Sequence, residues 1–332
     1  MNVEVNVKQR LGLLAILFIL GSAYGQETTY QNSVYPFDFP DPFVLRVDSS
    51  YYAFATDVGD VHIPAIRSED LATWRWSGDA LPELPAWARQ TSGLTWAPGV
   101  LKREDSFVLY YTTRDTASDR QCISRAVGDN PEGPYIDTST EPFICQTDLG
   151  GSIDPYPFVD DGIPYLLWKN DGNCCDLPVG LWVQRLSEDG RSLEGERTEL
   201  IRQDQLWERP LVENPAMWKR GGVYYLLYSA NWWESAAYSL GYAVCETVTG
   251  PCVKPQEGPI FKAAGDVMGP GGEAFFTDTE GNLWLAYHAW TAPYVTYPRG
   301  ARSFRIDRVR FEDGVPVIEG PTETPQPLGE AQ

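Results

Sequence analysis

Apolar and polar residues alternate in short bursts along this chain, and each burst breaks at a cluster of turn-forming residues. DPFVLRVDSSYYAFA from Asp41 is one such burst. The others are APGVLKREDSFVLYYTT from Ala97, DPYPFVDDGIPYLLW from Asp154, NPAMWKRGGVYYLLYSA from Asn214 and EAFFTDTEGNLWLAYHA from Glu273. Their second residues, Pro42, Pro98, Pro155, Pro215 and Ala274, recur at intervals of 56, 57, 60 and 59 residues. Nine or ten residues after each, a second apolar-aromatic run begins, near Tyr51, Phe107, Tyr165, Tyr224 and Leu283. Between the paired runs stand Asp48-Ser49-Ser50, Asp160-Asp161-Gly162 and Gly221-Gly222, so each unit opens with a β-hairpin. Further strands follow in IRSEDLATWRW, WVQRLSEDGRSLEGE and YAVCETVTGPCVK, and helical periodicity is absent. Four strands in roughly 58 residues, repeated five times, predict an all-β chain folded as a five-bladed β-propeller with four antiparallel strands per blade. The strand that opens each repeat is expected to line the central channel.

Composition agrees with short strands and tight turns: the 332 residues include 12 Trp, 18 Tyr, 13 Phe, 30 Gly and 26 Pro. Lys and Arg number 26 against 46 Asp and Glu, a net charge of −20 that disfavours nucleic acid and anionic membrane as partners. The two histidines, His62 and His288, rule out a multi-His zinc site and leave only themselves for any Ser-His-Asp triad. His62, in VGDVHIPAIR, receives no role.

Leu11 to Leu20 reads LGLLAILFIL, follows Lys8 and Arg10, and precedes the small-residue stretch from Gly21 to Gly25. This is the pattern of a secretory signal peptide over residues 1–25, too short for a bilayer core of about 30 Å. Residues 26–332 are then one propeller domain, secreted to the exterior or periplasm, monomeric and free of membrane after cleavage. Export predicts an oxidising compartment for Cys122, Cys145, Cys174, Cys175, Cys245 and Cys252. Cys245 and Cys252 bracket a turn and suit a cross-strand bridge, and Cys122 with Cys145 would follow. Adjacent Cys174 and Cys175 are left as a vicinal bridge or as two thiols.

Inner strands of a propeller converge, so polar residues heading them meet although far apart in sequence. Asp41 heads the first, Asp154 the third, and Glu213 stands one residue ahead of the fourth. Two carboxyl groups flanking a glycosidic bond can act as general acid and general base. Burial and mutual repulsion would raise the pKa of at least one of them. The competing account of each Asp-Pro step is a turn-opening dipeptide.

The motifs FPDPFVL at Asp41, TWAPGV at Trp96, GGSIDPYPF at Asp154, VENPAMW at Glu213 and YHAW at His288 resemble glycoside hydrolase family 43, the five-bladed propeller arabinanases, arabinofuranosidases and β-xylosidases. The resemblance spans about Pro40 to Pro316. It implies that Asp41 is the base activating water, Asp154 tunes the acid and orients substrate, and Glu213 protonates the leaving oxygen. It also implies inversion, with Asp41 and Glu213 roughly 6.5–9.5 Å apart. Two positions depart from the family pattern. Gly99 follows Pro98 where Asp or Glu is frequent, and Glu273 aligns with Asp41 as a rival acid or substrate contact.

The resemblance further suggests that His288 helps hold a structural Ca²⁺ or a water cluster in the channel; a hydrogen-bonded core histidine is the alternative. No organic cofactor is expected. Trp96 would stack on a sugar ring or pack in the core, and Trp232 and Trp233 would wall an adjoining subsite. Arg302 matches a family arginine that touches a sugar hydroxyl, with a structural pair to Asp307 as the competing account. The expected activity is inverting hydrolysis of α-L-arabinofuranosyl linkages in arabinan or arabinose-containing hemicellulose, the substrate being an oligosaccharide or polysaccharide. A β-xylosidase and a non-catalytic sugar-binding propeller are the alternatives.

Overall fold

The computed structural model describes residue 1 and residues 28–329, and the expected signal peptide lies outside the described residues apart from Met1. Five antiparallel sheets succeed one another along the chain. Blade 1 comprises Phe43–Val47, Ser50–Phe54, Pro64–Ser68 and Arg75–Asp79. Blade 2 comprises Trp96–Lys102, Phe107–Arg114 and Gln121–Gly128, and bridges from Ile136 and Ile144 occupy its outer edge in place of a fourth continuous strand. Blade 3 runs Ser152–Asp160, Ile163–Asn170, Gly180–Leu186 and Leu193–Arg202. Blade 4 runs Val212–Arg220, Val223–Ala230, Ser239–Cys245 and Cys252–Val253. Blade 5 contains Val267–Thr277, Leu283–Thr291 and Ser303–Glu312.

The outer edge of blade 5 is completed by Tyr35–Asp38 from the start of the described chain, paired antiparallel to Ser303–Glu312. Thr29–Tyr30 pairs with Gln326–Pro327, so both ends of the described chain meet and close the ring. This is the five-bladed propeller that the repeat predicts. Among the described residues the only helical pieces are three single 3₁₀ turns.

Each blade is sandwiched between two others, so its second strand is buried on both faces. Phe107–Arg114 and Val223–Ala230 are accordingly almost continuous apolar runs, with no polar alternation to face water. Aromatic rings fill the wedges between blades: Trp218 lies 6.0 Å from Phe275 and Tyr225 lies 4.7 Å from Phe311.

Gly99 has a packing reason for departing from the family pattern. A Cβ there would come within 2.5 Å of the Pro157 ring and 2.7 Å of the Pro155 carbonyl, so blade 3 can approach blade 2 only over a glycine. The six cysteines form three disulfides, Cys122–Cys145, Cys174–Cys175 and Cys245–Cys252.

One local device recurs at the head of the inner strands. The ladder skips two residues between Trp96 and Gly99, Ile153 and Tyr156, Glu213 and Ala216, and Gly271 and Ala274. The first residue of each skipped pair has left-handed backbone, with φ of 44° at Ala97, 57° at Asp154, 54° at Asn214 and 63° at Gly272. Asp41, at φ 51°, is the blade 1 counterpart. Such bulges re-aim side chains, and Asp, Asn and Gly tolerate that conformation best. The equivalence corrects the alignment of Glu273 with Asp41: Gly272 holds the Asp41 position, and Glu273 holds the position of the prolines.

Candidate active site

Asp41 is presented by its bulge at the head of blade 1. Its backbone N–H donates to His288 Nδ1 at 3.0 Å, and Oδ2 accepts from the Thr56 hydroxyl at 2.6 Å. Thr56 Oγ1 in turn accepts from the Ala97 N–H at 2.9 Å, which ties blade 1 to blade 2. Arg302 Nη1 stands 3.7 Å from Asp41 Oδ2. Arg302 is not paired with Asp307. Arg302 immediately precedes the strand Ser303–Glu312, and an odd offset of five positions from Asp307 directs the two side chains to opposite faces. Asp307 instead accepts from the hydroxyls of Tyr287, at 2.7 Å, and Thr322, at 2.6 Å.

The Glu213 end is built from different material. Lys169, fully buried at the end of Ile163–Asn170, donates to Glu213 Oε2 at 3.0 Å and lies 3.7 Å from Asp171 Oδ1. Tyr238 OH donates to Glu213 Oε1 at 2.9 Å. Asp154 receives the Asn214 N–H on Oδ2 at 3.0 Å, and its own N–H donates to Thr112 Oγ1 at 3.2 Å. Burial pushes the Asp154 carboxyl well above the usual carboxylate range, and the charge of Glu213 pushes the same way. Burial works against the charge of Lys169, but Glu213, Asp171 and Asp154 outweigh it and raise its pKa.

Beneath these groups lies a polar floor. Glu273 is buried, accepts on Oε2 from the Ser229 hydroxyl, and does not border the cleft. Desolvation pushes its carboxyl up to about 8, with the nearby Glu213 and Asp154 adding to the effect. Gly272, beside it, is required by space: a Cβ would meet His288 Nδ1 at 2.4 Å and Asp41 Oδ1 at 2.7 Å.

Asp41, Asp154 and Glu213 all open onto one cleft of about 660 Å³. Trp96, Trp232, Trp233 and Arg302 line the same cleft, as do Asp57, Lys169, Asp171 and Tyr238. Trp232 is 43% exposed, whereas Trp233 stacks on Trp290 with centroids 6.3 Å apart and carries the Arg302 guanidinium 4.6 Å above its ring.

The model for glycosyl hydrolases family 43 matches residues 30–316. The chain belongs to glycosyl hydrolase family 43. It is 28% identical over 310 residues to the β-D-galactofuranosidase xynD of Aspergillus niger, covering 86% of this chain and 84% of that one. Against the extracellular exo-α-(1→5)-L-arabinofuranosidase ArbA of Cellvibrio japonicus it is 25% identical, over 77% of this chain and 80% of that one. The crystal structure of a thermostable family-43 glycoside hydrolase matches with a TM-score of 0.78 at 32% identity, covering 90% of this chain and 98% of that chain.

In this family-43 chain, the expected channel Ca²⁺ fits the residues poorly. His288 Nδ1 accepts the Asp41 N–H, and burial pushes the imidazole pKa well below its ordinary value. The ring is therefore neutral with its proton on Nε2, which leaves no lone pair there for an ion. Nε2 has no hydrogen-bond partner among the described residues, so a water oxygen suits it better than a cation. Calcium also takes 6–8 oxygen ligands, and no group of three His, Cys, Asp or Glu able to hold an ion occurs among the described residues.

Sequence reasoning missed Lys169, Tyr238 and Asp57. Lys169 carried a signal: it is a lone charge inside the apolar run IPYLLWKN, and a buried lysine needs an acidic partner. Asp57, raised to about 6 by burial, and Tyr238, one of 18 tyrosines, carried none.

Proposed function

We propose that this protein is an exported, inverting glycosidase that releases α-L-arabinofuranosyl residues from arabinan or arabinose-containing hemicellulose. The observation carrying the reading is that Asp41, Asp154 and Glu213 share one cleft while being dressed differently. Asp41, lightly held by one hydroxyl, removes a proton from water as the water attacks the anomeric carbon. Glu213 delivers a proton to the departing glycosidic oxygen, and Asp154 and Lys169 set its charge environment. Inversion follows from this single displacement, because no enzyme carboxylate bonds to the sugar.

A furanosyl substrate is supported by the Aspergillus niger and Cellvibrio japonicus relatives, a β-D-galactofuranosidase and an α-L-arabinofuranosidase. Export is supported by the apolar run at residues 11–20 and by three disulfides, which persist in oxidising compartments. The family's β-xylosidases make xylosides the runner-up substrate.

The test is hydrolysis of p-nitrophenyl α-L-arabinofuranoside, p-nitrophenyl β-D-galactofuranoside, p-nitrophenyl β-D-xylopyranoside and linear arabinan by wild type and Glu213→Ala. Release from the arabinose substrates, lost in the variant on arabinan, is the expected result. Turnover of the xyloside alone would replace arabinose by xylose in the reading. Folded wild type inert on all four would remove the glycosidase assignment.

A further inference from the structure

The cleft has a wall that the catalytic scheme does not use. The single turn Gly172–Cys175 follows the strand that delivers Lys169, and it carries the disulfide between neighbouring residues Cys174 and Cys175. Cys174 is exposed and borders the cleft, with Asn173 beside it. Cys175 is turned inward, where Arg120 Nη1 lies 2.8 Å from its sulfur. Two adjacent cysteines joined in a ring have no free side-chain rotation. They present a compact, polarisable surface of sulfur and methylene that loses no rotamer entropy when something packs on it.

Two oxygens give that surface its chemistry. Gln121 Oε1 and Asn173 Oδ1 both belong to cleft-lining residues, both are buried, and neither has a hydrogen-bond partner among the described residues. A buried amide oxygen without a donor is costly, so such atoms mark places where something else donates. A sugar ring meets both requirements, offering an apolar C–H face and hydroxyl donors around its edge. The same turn also holds Asp171 next to Lys169, so an occupant of this wall lies beside the machinery around Glu213.

We propose that the Cys174–Cys175 disulfide is a substrate platform: the apolar face of a sugar ring packs on it, while Asn173 and Gln121 accept from that ring's hydroxyls. The proposal rests on the glycosidase reading. It assigns the disulfide to substrate binding and not to folding alone. Reduction removes the platform: a phosphine attacks one sulfur and breaks the S–S bond, and water then hydrolyses the phosphorus–sulfur bond, giving the phosphine oxide its oxygen and the two thiols their protons. The Arg120 guanidinium beside Cys175 would then favour a thiolate, a charge where the sugar needs an apolar surface.

The experiment compares wild type with the Cys174→Ala/Cys175→Ala double variant on p-nitrophenyl α-L-arabinofuranoside, or on whichever glycoside wild type cleaves best. Loss of one apolar contact predicts KM raised about tenfold. Because the contact is made equally in ground and transition states, kcat should change less than about threefold. A phosphine reductant should raise the KM of wild type and leave that of the double variant unmoved, although both retain Cys122–Cys145 and Cys245–Cys252. KM unchanged in an active double variant would overturn the platform alone, as would a fall in kcat and thermal stability with KM intact. If the double variant does not fold, the wild-type response to phosphine decides the question by the same KM criterion. Wild type inert on every glycoside overturns the glycosidase reading, and this proposal with it.

Discussion

The two ends of the cleft use the same backbone device for opposite electrostatic purposes. At the Asp41 end, a left-handed bulge residue carries the carboxyl itself, whose side chain is 19% exposed and held by one hydroxyl with a guanidinium 3.7 Å away, while the neutral imidazole of His288 takes its backbone N–H. At the Glu213 end, the equivalent bulge residue is Asn214, which spends its N–H on Asp154, while the carboxyl one position earlier sits against a fully buried lysine. Hydration and sparse contacts suit a group that must take a proton from water. Donors fixed on both carboxyl oxygens suit a group that must be held in one position against the departing oxygen. The difference arises from one residue of register, not from a different fold.

The largest expected effect separates the ends by chemistry. Asp41→Asn and Glu213→Gln should each lower kcat on arabinan by about 10²–10⁴-fold, the usual worth of a positioned base or acid. Only Glu213→Gln should regain activity on a 2,4-dinitrophenyl glycoside, whose leaving group needs no proton. Equal losses of both variants on both substrates would erase the assigned roles.

Next is Lys169→Met, which leaves Glu213, Asp154 and Asp171 without their buried cation. Removing one partner of a buried ion pair costs about 3–5 kcal/mol, read by urea unfolding at pH 7. The loss should shrink as pH falls and the carboxylates become protonated. A variant as stable as wild type would mean the ion pair is not what holds this end.

Arg302→Lys is smaller. Lysine keeps the charge near Asp41 but loses the planar surface lying on Trp233. We expect kcat/KM to fall about tenfold, equivalent to about 1.4 kcal/mol. Full activity in the lysine variant would show that charge alone suffices.

The smallest effect tests the floor shared by both ends. Glu273 has a folded pKa of about 8, above its ordinary 4.5. A carboxyl whose pKa is raised by folding favours the folded state fully below the unfolded value, and that contribution is lost as pH rises toward 8. Between pH 7 and pH 8 wild type should therefore lose about 1 kcal/mol that Glu273→Gln does not lose. Parallel stability–pH curves for the two proteins would place the glutamate in a more hydrated setting.

Much of this site is legible in the sequence. Asp41, Asp154 and Glu213 stood out as acids heading matched strands, and the cleft receives all three together with Trp96, Trp232 and Arg302. Arg302 was legible as a polar residue near the channel, but not its choice of Asp41 over Asp307. That choice depends on strand alternation and on a partner 261 residues away in sequence. Lys169 and Tyr238 reach Glu213 from separations of 44 and 25 residues, and no local pattern encodes such contacts. Glu273 was misaligned because hydrophobic matching tolerates a shift of one residue inside a bulge.

By itself, the sequence determined the period, the hairpins, the five blades and the acids that head them. These follow from local physics: side-chain alternation, turn preferences and the burial of aromatic strands repeat visibly along the chain. Tertiary structure alone decided which acid stays partly exposed, which meets lysine and which lies in the buried floor. A bulge of one residue turns a side chain to the other face, and only the packed ring of blades decides what waits there.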